Sequence, residues 1–157
     1  MIEIEHKFIL KNDGWKATAS EGIRYQQGYI STTNGTAVRV RIAGDKSYLT
    51  LKGPRGGEEG ISCTEFEYEI PLNDARAMIA ALVDSPLIDK LRYLVIHQGK
   101  TWEIDIFSGD NAGLEVAEIE LSSEHEKFEI PSWAGSCVSQ DHRYCNYSLA
   151  QVPFKDW

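Results

Sequence analysis

The sequence predicts a mainly β fold: a closed eight-stranded antiparallel barrel with a charged interior and a few flanking helices. About eight segments alternate apolar and polar side chains with the period of two that a strand imposes. Turn signals separate these segments, and only two stretches have helical character. The polar faces are built almost wholly from charged residues two apart, such as Glu3 with Glu5 and Arg39 with Arg41. So many strands in 157 residues need a sandwich or a closed barrel, and closure removes the unpaired edges.

The first strand runs from Ile2 to Leu10. A second, rich in Tyr and Gln, spans Arg24 to Ile30. The third, Ala37 to Ala43, puts Val38, Val40 and Ile42 on one face and Arg39 and Arg41 on the other. Gly44-Asp45 is a hairpin-turn dipeptide leading into Ser47 to Lys52. Four glycines, a proline and several charges make Gly53 to Gly60 a mobile loop. Alternation resumes at Cys63 to Ile70, with Glu65, Glu67 and Glu69 opposite Phe66, Tyr68 and Ile70. A helix from Ala75 to about Val83, capped by Asn73 or Asp74, ends before Pro86. Strands return at Ile88 to Ile96, Thr101 to Phe107 and Leu114 to Leu121, the first two joined by a tight turn at Gly99-Lys100. Ser122 to Ser139 is polar and irregular, and the tail from Asp141 to about Gln151 can close the fold as a short helix.

No repeat or interdomain linker interrupts the chain, so residues 1–157 are expected to be one domain. A domain of this length buries roughly 70% of its unfolded surface and needs no staples. The odd cysteine count (Cys63, Cys137, Cys145), without a CxxC pattern, points to reduced thiols in a cytoplasmic protein. No run approaches the 18 or so apolar residues of a membrane span, and Glu3 and Glu5 exclude a basic signal-peptide start. A net charge of −8 argues against a nucleic-acid partner.

The charged faces point to chemistry. Glu3, Glu5 and Lys7 share the first strand's polar face; later strands offer Arg39 and Arg41, Lys52, Glu65 and Glu67, Lys90 and Arg92, Glu103 and Asp105, and Glu118 and Glu120. A solvated sheet face holds long charged residues too, but it mixes in Ser, Thr and Gln and does not sort acids and bases strand by strand. If the barrel closes with these faces inward, the charges must be matched by ligands or by each other. Clustered carboxylates suit a hard divalent cation, and clustered Arg and Lys suit phosphate oxygens. Together they imply a metal–polyphosphate complex, which the local field accommodates despite the negative total.

Glu3-Ile4-Glu5-His6-Lys7 resembles the ExExK signature of the CYTH superfamily, the triphosphate tunnel metalloenzymes. The order of Arg39-x-Arg41, Lys52 in Leu-Thr-Leu-Lys-Gly, Glu65-x-Glu67, Lys90-x-Arg92, Asp105 and Glu118-x-Glu120 is similar to that family's as well, over nearly the whole chain. Gln27-Gly28-Tyr29 and the tail from Arg143 to Phe154 look like its compact bacterial members. The resemblance implies an eight-stranded tunnel open at both ends. Carried over by position, Glu3, Glu5, Asp105, Glu118 and Glu120 would hold Mg2+ or Mn2+, and Lys7, Arg39, Arg41, Lys52, Lys90 and Arg92 would grip the phosphates. Glu5, Lys7, Arg41 and Lys52 would carry the catalytic work, with Lys7 kept protonated by neighbouring acids and positioning rather than abstracting a proton. Glu65 and Glu67 would orient the bases, and Tyr29 would serve a lid or packing. His6, facing away by parity, is a surface or packing residue.

The leading expectation is hydrolysis of tripolyphosphate to pyrophosphate and phosphate, since no insertion is dedicated to a nucleobase. An adenylate cyclase of the class IV type and a thiamine triphosphatase are the enzymatic alternatives. A polyphosphate- or nucleotide-binding sensor is the non-enzymatic one. The expected partner is a small triphosphate rather than a nucleic acid or membrane, and outward apolar faces leave room for a homodimer.

Overall fold

In a computed structural model, which describes residues 2–30 and 35–157, the strands form an antiparallel sheet that closes on itself. The strands are β1 (Ile2–Leu10), β2 (Ile23–Ile30), β3 (Ala37–Ala43), β4 (Lys46–Lys52), β5 (Ser62–Glu69), β6 (Ile88–His97), β7 (Lys100–Phe107), β8 (Glu115–Glu120) and β9 (Ala134–Cys137). The helices are α1 (Leu72–Leu82) and α2 (Asn146–Gln151). The order β5-β4-β3-β2-β6-β7-β8-β1 is closed by pairing of β1 with β5, giving an eight-stranded barrel with β9 added beside β1. Among the described residues no helix is long and apolar enough to cross a membrane.

β1 forks. Ile2, Glu3 and Ile4 pair with Thr64, Cys63 and Ser62 of β5, whereas Phe8 and Leu10 pair on that same edge with Cys137 and Ala134 of β9. Between the two lie Glu5, whose N–H donates to the Ile61 carbonyl (3.2 Å), and Lys7, whose carbonyl accepts from the Val138 N–H (2.8 Å). The Lys7 N–H donates to Ser139 Oγ (2.9 Å). A side chain thus completes a ladder that two strands share.

The larger of two apolar clusters lies outside the barrel wall. Outward residues of β1, β7 and β8 (Phe8, Trp102, Ile104, Ala117, Ile119) are covered by Trp15, Phe128 and Trp133 from flanking segments. Trp102 and Trp133 meet edge-on with ring centroids 5.4 Å apart. α1 and the segment after it cover β2 and β3, and Gly28 makes room: a Cβ there would stand 2.6 Å from Val83 Cγ1 and 2.9 Å from Leu87 Cδ2. The outward Leu51, Phe66 and Tyr68 of β4 and β5 remain exposed.

Several local expectations are corrected. The helix begins at Leu72, with Pro71 at its N-cap and no side-chain cap, so Asn73 and Asp74 lie inside the first turn. Proline supplies the break instead: the Ile70 N–H still donates to Ser47 of β4 (2.9 Å), and the Pro71 carbonyl already accepts from Ala75 (3.0 Å). The β6–β7 turn is Gln98-Gly99, both at positive φ (48° and 74°), with Lys100 in β7. Within the stretch expected to be irregular, Ala134–Cys137 is a strand. Its Gly135 permits close approach to β1, since a Cβ would sit 3.0 Å from the Ile9 carbonyl oxygen. Asp13–Thr18 forms a short helical turn that carries the buried Trp15.

If the outer core carries the fold, Trp102→Ala destabilises the protein by about 3–5 kcal/mol in guanidinium unfolding, as for other fully buried Trp sites. A loss below about 1 kcal/mol would sink that assignment.

Candidate active site

Inside the barrel, alternation turns the charged faces toward a cavity of about 390 Å³. It is lined by Glu3, Glu5, Lys7, Tyr29, Arg39, Arg41, Lys52, Glu65, Glu67, Arg92, Glu118 and Glu120, all of them residues expected from the sequence. Lys90 and Asp105 are not brought to it: both side chains are fully buried and bonded to each other. Depth explains this. One end of the bore is apolar, formed by Tyr29, Ile88, Phe107 and Val116, and α2 fills it with Leu149 and Ala150. Lys90 lies beside this cluster, its ammonium 5.3 Å from the centre of the Phe107 ring. The tail thus packs across one end of a bore expected to be open at both ends, and His142, Cys145 and Tyr147 line the cavity there.

Two ion-pair networks cover the walls. Across β6, β7, β8 and β1, Lys90 bonds Asp105, and Asp105 takes Arg92 through Nε (2.7 Å) and Nη2 (2.6 Å). Arg92 also donates to Glu103 and to Glu118 (2.9 Å), and Glu118 accepts from Lys7. The Lys7 ammonium stands 3.9 Å from Glu5, whose Oε1 is 2.5 Å from Arg55 Nη2. On the facing wall Lys52 bridges Glu3 (2.5 Å) and Glu65 (2.8 Å). Arg39 bonds Glu67 (3.0 Å) and Thr50 (3.1 Å). Arg41 donates to Gln27 (3.1 Å), and Glu67 stands 4.0 Å away.

Titration follows these partners. Burial opposes the charge on Lys7, but Glu118 and Glu5 outweigh it and raise the ammonium above its ordinary range, so Lys7 stays protonated. Burial likewise disfavours the Glu118 carboxylate, yet Lys7 and Arg92 hold it well below the usual value. Burial, then Arg92, pulls Lys90 down to about 8. Among the arginines lining the cavity Arg41 alone is lowered: burial disfavours its charge, and Arg39 and Arg92 add repulsion. The Nε of Arg39 is buried with no hydrogen-bond partner among the described residues. Tyr29, raised by burial, accepts from Gln27 (2.9 Å) and meets Tyr147 edge-on.

Two groups escaped the sequence argument, and a third was placed on an inward face without a role. Arg55 reaches the cavity from the glycine-rich loop. Glu103 lines it where Asp105 was expected to hold metal, being two residues nearer the open end on the same face. Tyr25 lies between Arg41 and Arg92, with their guanidinium carbons 5.2 and 5.1 Å from its ring centre. Of these, only Glu103 carried a signal, its i+2 partnership with Asp105. His6 packs outside the wall against Phe128 and Ser139, as parity implied.

As donors, Glu3, Glu5, Glu118 and Glu120 are all oxygen and stand on neighbouring strands, with Glu5 directly opposite Glu120. That chemistry fits a hard divalent ion. Three of the four are bonded to Lys or Arg, and among the described residues no three Asp, Glu, His or Cys side chains are gathered as a metal cage.

The CYTH domain profile matches residues 1–151. A curated inorganic triphosphatase of Acetivibrio thermocellus is 46% identical over 155 residues, 99% of this chain and 97% of its own length. One from Nitrosomonas europaea is 32% identical, covering 96% of this chain and 97% of its own. A crystal structure of an inorganic triphosphatase superposes with a TM-score of 0.65 at 30% identity, over 94% of this chain and 93% of that one.

The buried pair separates structure from chemistry. Asp105→Asn strands two buried cations and costs about 3–5 kcal/mol in chemical unfolding. Lys90→Met leaves Asp105 matched by Arg92 and sets an apolar chain beside Phe107, so it costs under about 1.5 kcal/mol. A reversed order would refute this division of the pair.

Proposed function

The chain belongs to the CYTH domain family, and we propose that it hydrolyses inorganic triphosphate to pyrophosphate and phosphate, with a divalent metal ion, inside the charged bore. The observation that carries this reading is the arginine side of the cavity: Arg39, though paired with Glu67, keeps a buried Nε with no partner among the described residues, and Arg41 has its nearest carboxylate at 4.0 Å while Arg39 and Arg92 repel it. A buried guanidinium nitrogen without a partner, and a second guanidinium pressed by two others, are relieved by a polyanion. Sustained charge along the cavity wall favours a substrate that is phosphate throughout. The names of the relatives at 46% and 32% identity support the same choice.

In this reading Arg39 and Arg41 would fork the phosphates, and Lys52, which bridges Glu3 and Glu65, would join them. Glu3, Glu5, Glu118 and Glu120 would hold the ion, for which Mg2+ and Mn2+ are equally suited. When bound, the ion supplies charge neutralisation and activates water. Lys7, kept protonated, positions the scissile phosphoryl rather than acting as a base. Glu65 and Glu67 orient Lys52 and Arg39. Arg92 fixes Glu118, and Lys90 with Asp105 anchors Arg92 from behind. Net charge −8 and three free cysteines support a cytoplasmic enzyme working as one tunnel domain on a small molecule rather than a nucleic acid.

Phosphate release from tripolyphosphate should require Mg2+ or Mn2+, stop with EDTA, far exceed release from ATP, and vanish in Glu5→Gln. Arg41→Ala should lower kcat/KM by about 10- to 100-fold, the worth of a charged hydrogen bond. Cyclic AMP formed from ATP, or turnover indifferent to EDTA, would overturn the proposal. A homodimer would use the exposed Leu51, Phe66 and Tyr68, and Phe66→Glu would then halve the mass seen by light scattering. A wild-type protein that elutes as a monomer ends that part.

A further inference from the structure

Arg55 belongs to no strand, yet its side chain lines the cavity and is largely buried. The other arginines and lysines of the lining stand on strands; Arg55 comes from the glycine-rich loop between β4 and β5. That loop is tied on both sides of it. The Gly53 N–H donates to Thr64 (2.9 Å), and Gly56 and Ser62 exchange backbone bonds (2.8 and 3.3 Å). Beyond them the Glu58 N–H donates to Glu124 (3.0 Å). Gly57 sits at φ 83°, where an added Cβ would strike the Glu124 carboxylate. The backbone at Arg55 is therefore fixed at the cavity wall, while the long side chain is free to choose its partner inside. At present it takes Glu5 Oε1.

Glu5 is the carboxylate the triphosphatase reading gives to the metal. A guanidinium and a divalent ion compete for the same oxygen, because each needs its lone pairs at contact distance. A cation arriving at Glu5 expels Arg55, and the tether keeps the freed guanidinium within the cavity. With the neighbouring acids taken up by the metal or by other bases, phosphate oxygens would be the acceptors an arginine fork suits best.

We propose that Arg55 is a further substrate-binding residue that exchanges partners: it neutralises Glu5 in the empty tunnel and grips the triphosphate once metal occupies Glu5. The second half rests on the triphosphatase reading, whereas the competition at Glu5 does not. Mn2+ alone is titrated into metal-free wild type, Arg55→Ala and Arg55→Lys, with free Mn2+ counted by electron paramagnetic resonance. Steady-state hydrolysis of tripolyphosphate is then measured at saturating metal.

Removing the competitor should tighten Mn2+ binding by Arg55→Ala several-fold, while KM rises about tenfold and kcat falls less than KM rises. Arg55→Lys keeps a charge but loses the fork, so its Mn2+ affinity stays near wild type and its KM still rises. Should Arg55→Ala fail to fold, by circular dichroism, the Arg55→Lys split decides alone. Weaker Mn2+ binding in Arg55→Ala, or an unchanged KM in either variant, would reduce Arg55 to a structural clamp and overturn the proposal. A wild type that turns over no tripolyphosphate fails the triphosphatase reading, while the Mn2+ titration still settles the exchange at Glu5.

Discussion

Charge inside a barrel has to be matched, and the rest of this fold follows from that. An isolated ion moved out of water is penalised by several kcal/mol even after relaxation. The bore avoids this by chaining its ions: Lys90 to Asp105, Asp105 to Arg92, Arg92 to Glu118, Glu118 to Lys7. The links run across β6, β7, β8 and β1, with Arg92 reaching past β7 to Glu118, so the network ties four consecutive strands together. With the interior given to ions, the hydrophobic core moves outside the wall. Trp15, Phe128 and Trp133 are needed there because the outward faces of β1, β7 and β8 would otherwise be bare.

The fork in β1 places the most important segment where neither β5 nor β9 fully claims it. Glu5 bonds Ile61 just past the end of the β5 pairing, and Lys7 is held by Val138 and Ser139 just beyond β9. Ladder bonds therefore fix the backbone of both residues while the wall leaves a gap beside them. Arg55 enters from that side. A strand paired evenly along its length would have left no opening for a loop residue to reach Glu5.

The sequence made the strands legible because period two survives wherever one face is charged and the other apolar. It located Ala37–Ala43 to the residue, and it chose the inward face correctly for each strand that lines the cavity. Depth along the bore was not legible. Lys90 and Arg92 share a face, but only Arg92 reaches the cavity, because α2 packs across the end where Lys90 sits. Parity names a face; it does not say how far along the barrel a ligand can travel. β9 was hidden for another reason: Ala-Gly-Ser-Cys has no alternation, and its strand state comes from the free edge of β1. Arg55 was hidden by its own loop, whose glycines announce irregular backbone and say nothing of where a side chain turns.

The bore's own charges are nearly balanced, and that balance bears on how it selects a ligand. Seven carboxylates line the cavity with six lysines and arginines. A free triphosphate approaching the arginines also meets the acids, and a free divalent ion approaching the acids also meets the bases. Neither half of the ligand is strongly favoured alone. Together they would be under the proposed function, because metal on the carboxylates would free Lys52, Lys7 and Arg55 from Glu3, Glu118 and Glu5 for phosphate oxygens. Metal and phosphate binding are then coupled, and the coupling must run equally in both directions. A bore whose bases were all unmatched would bind any anion; with most of them held by acids, as here, the proposed reading reserves the strongest binding for a metal–phosphate complex.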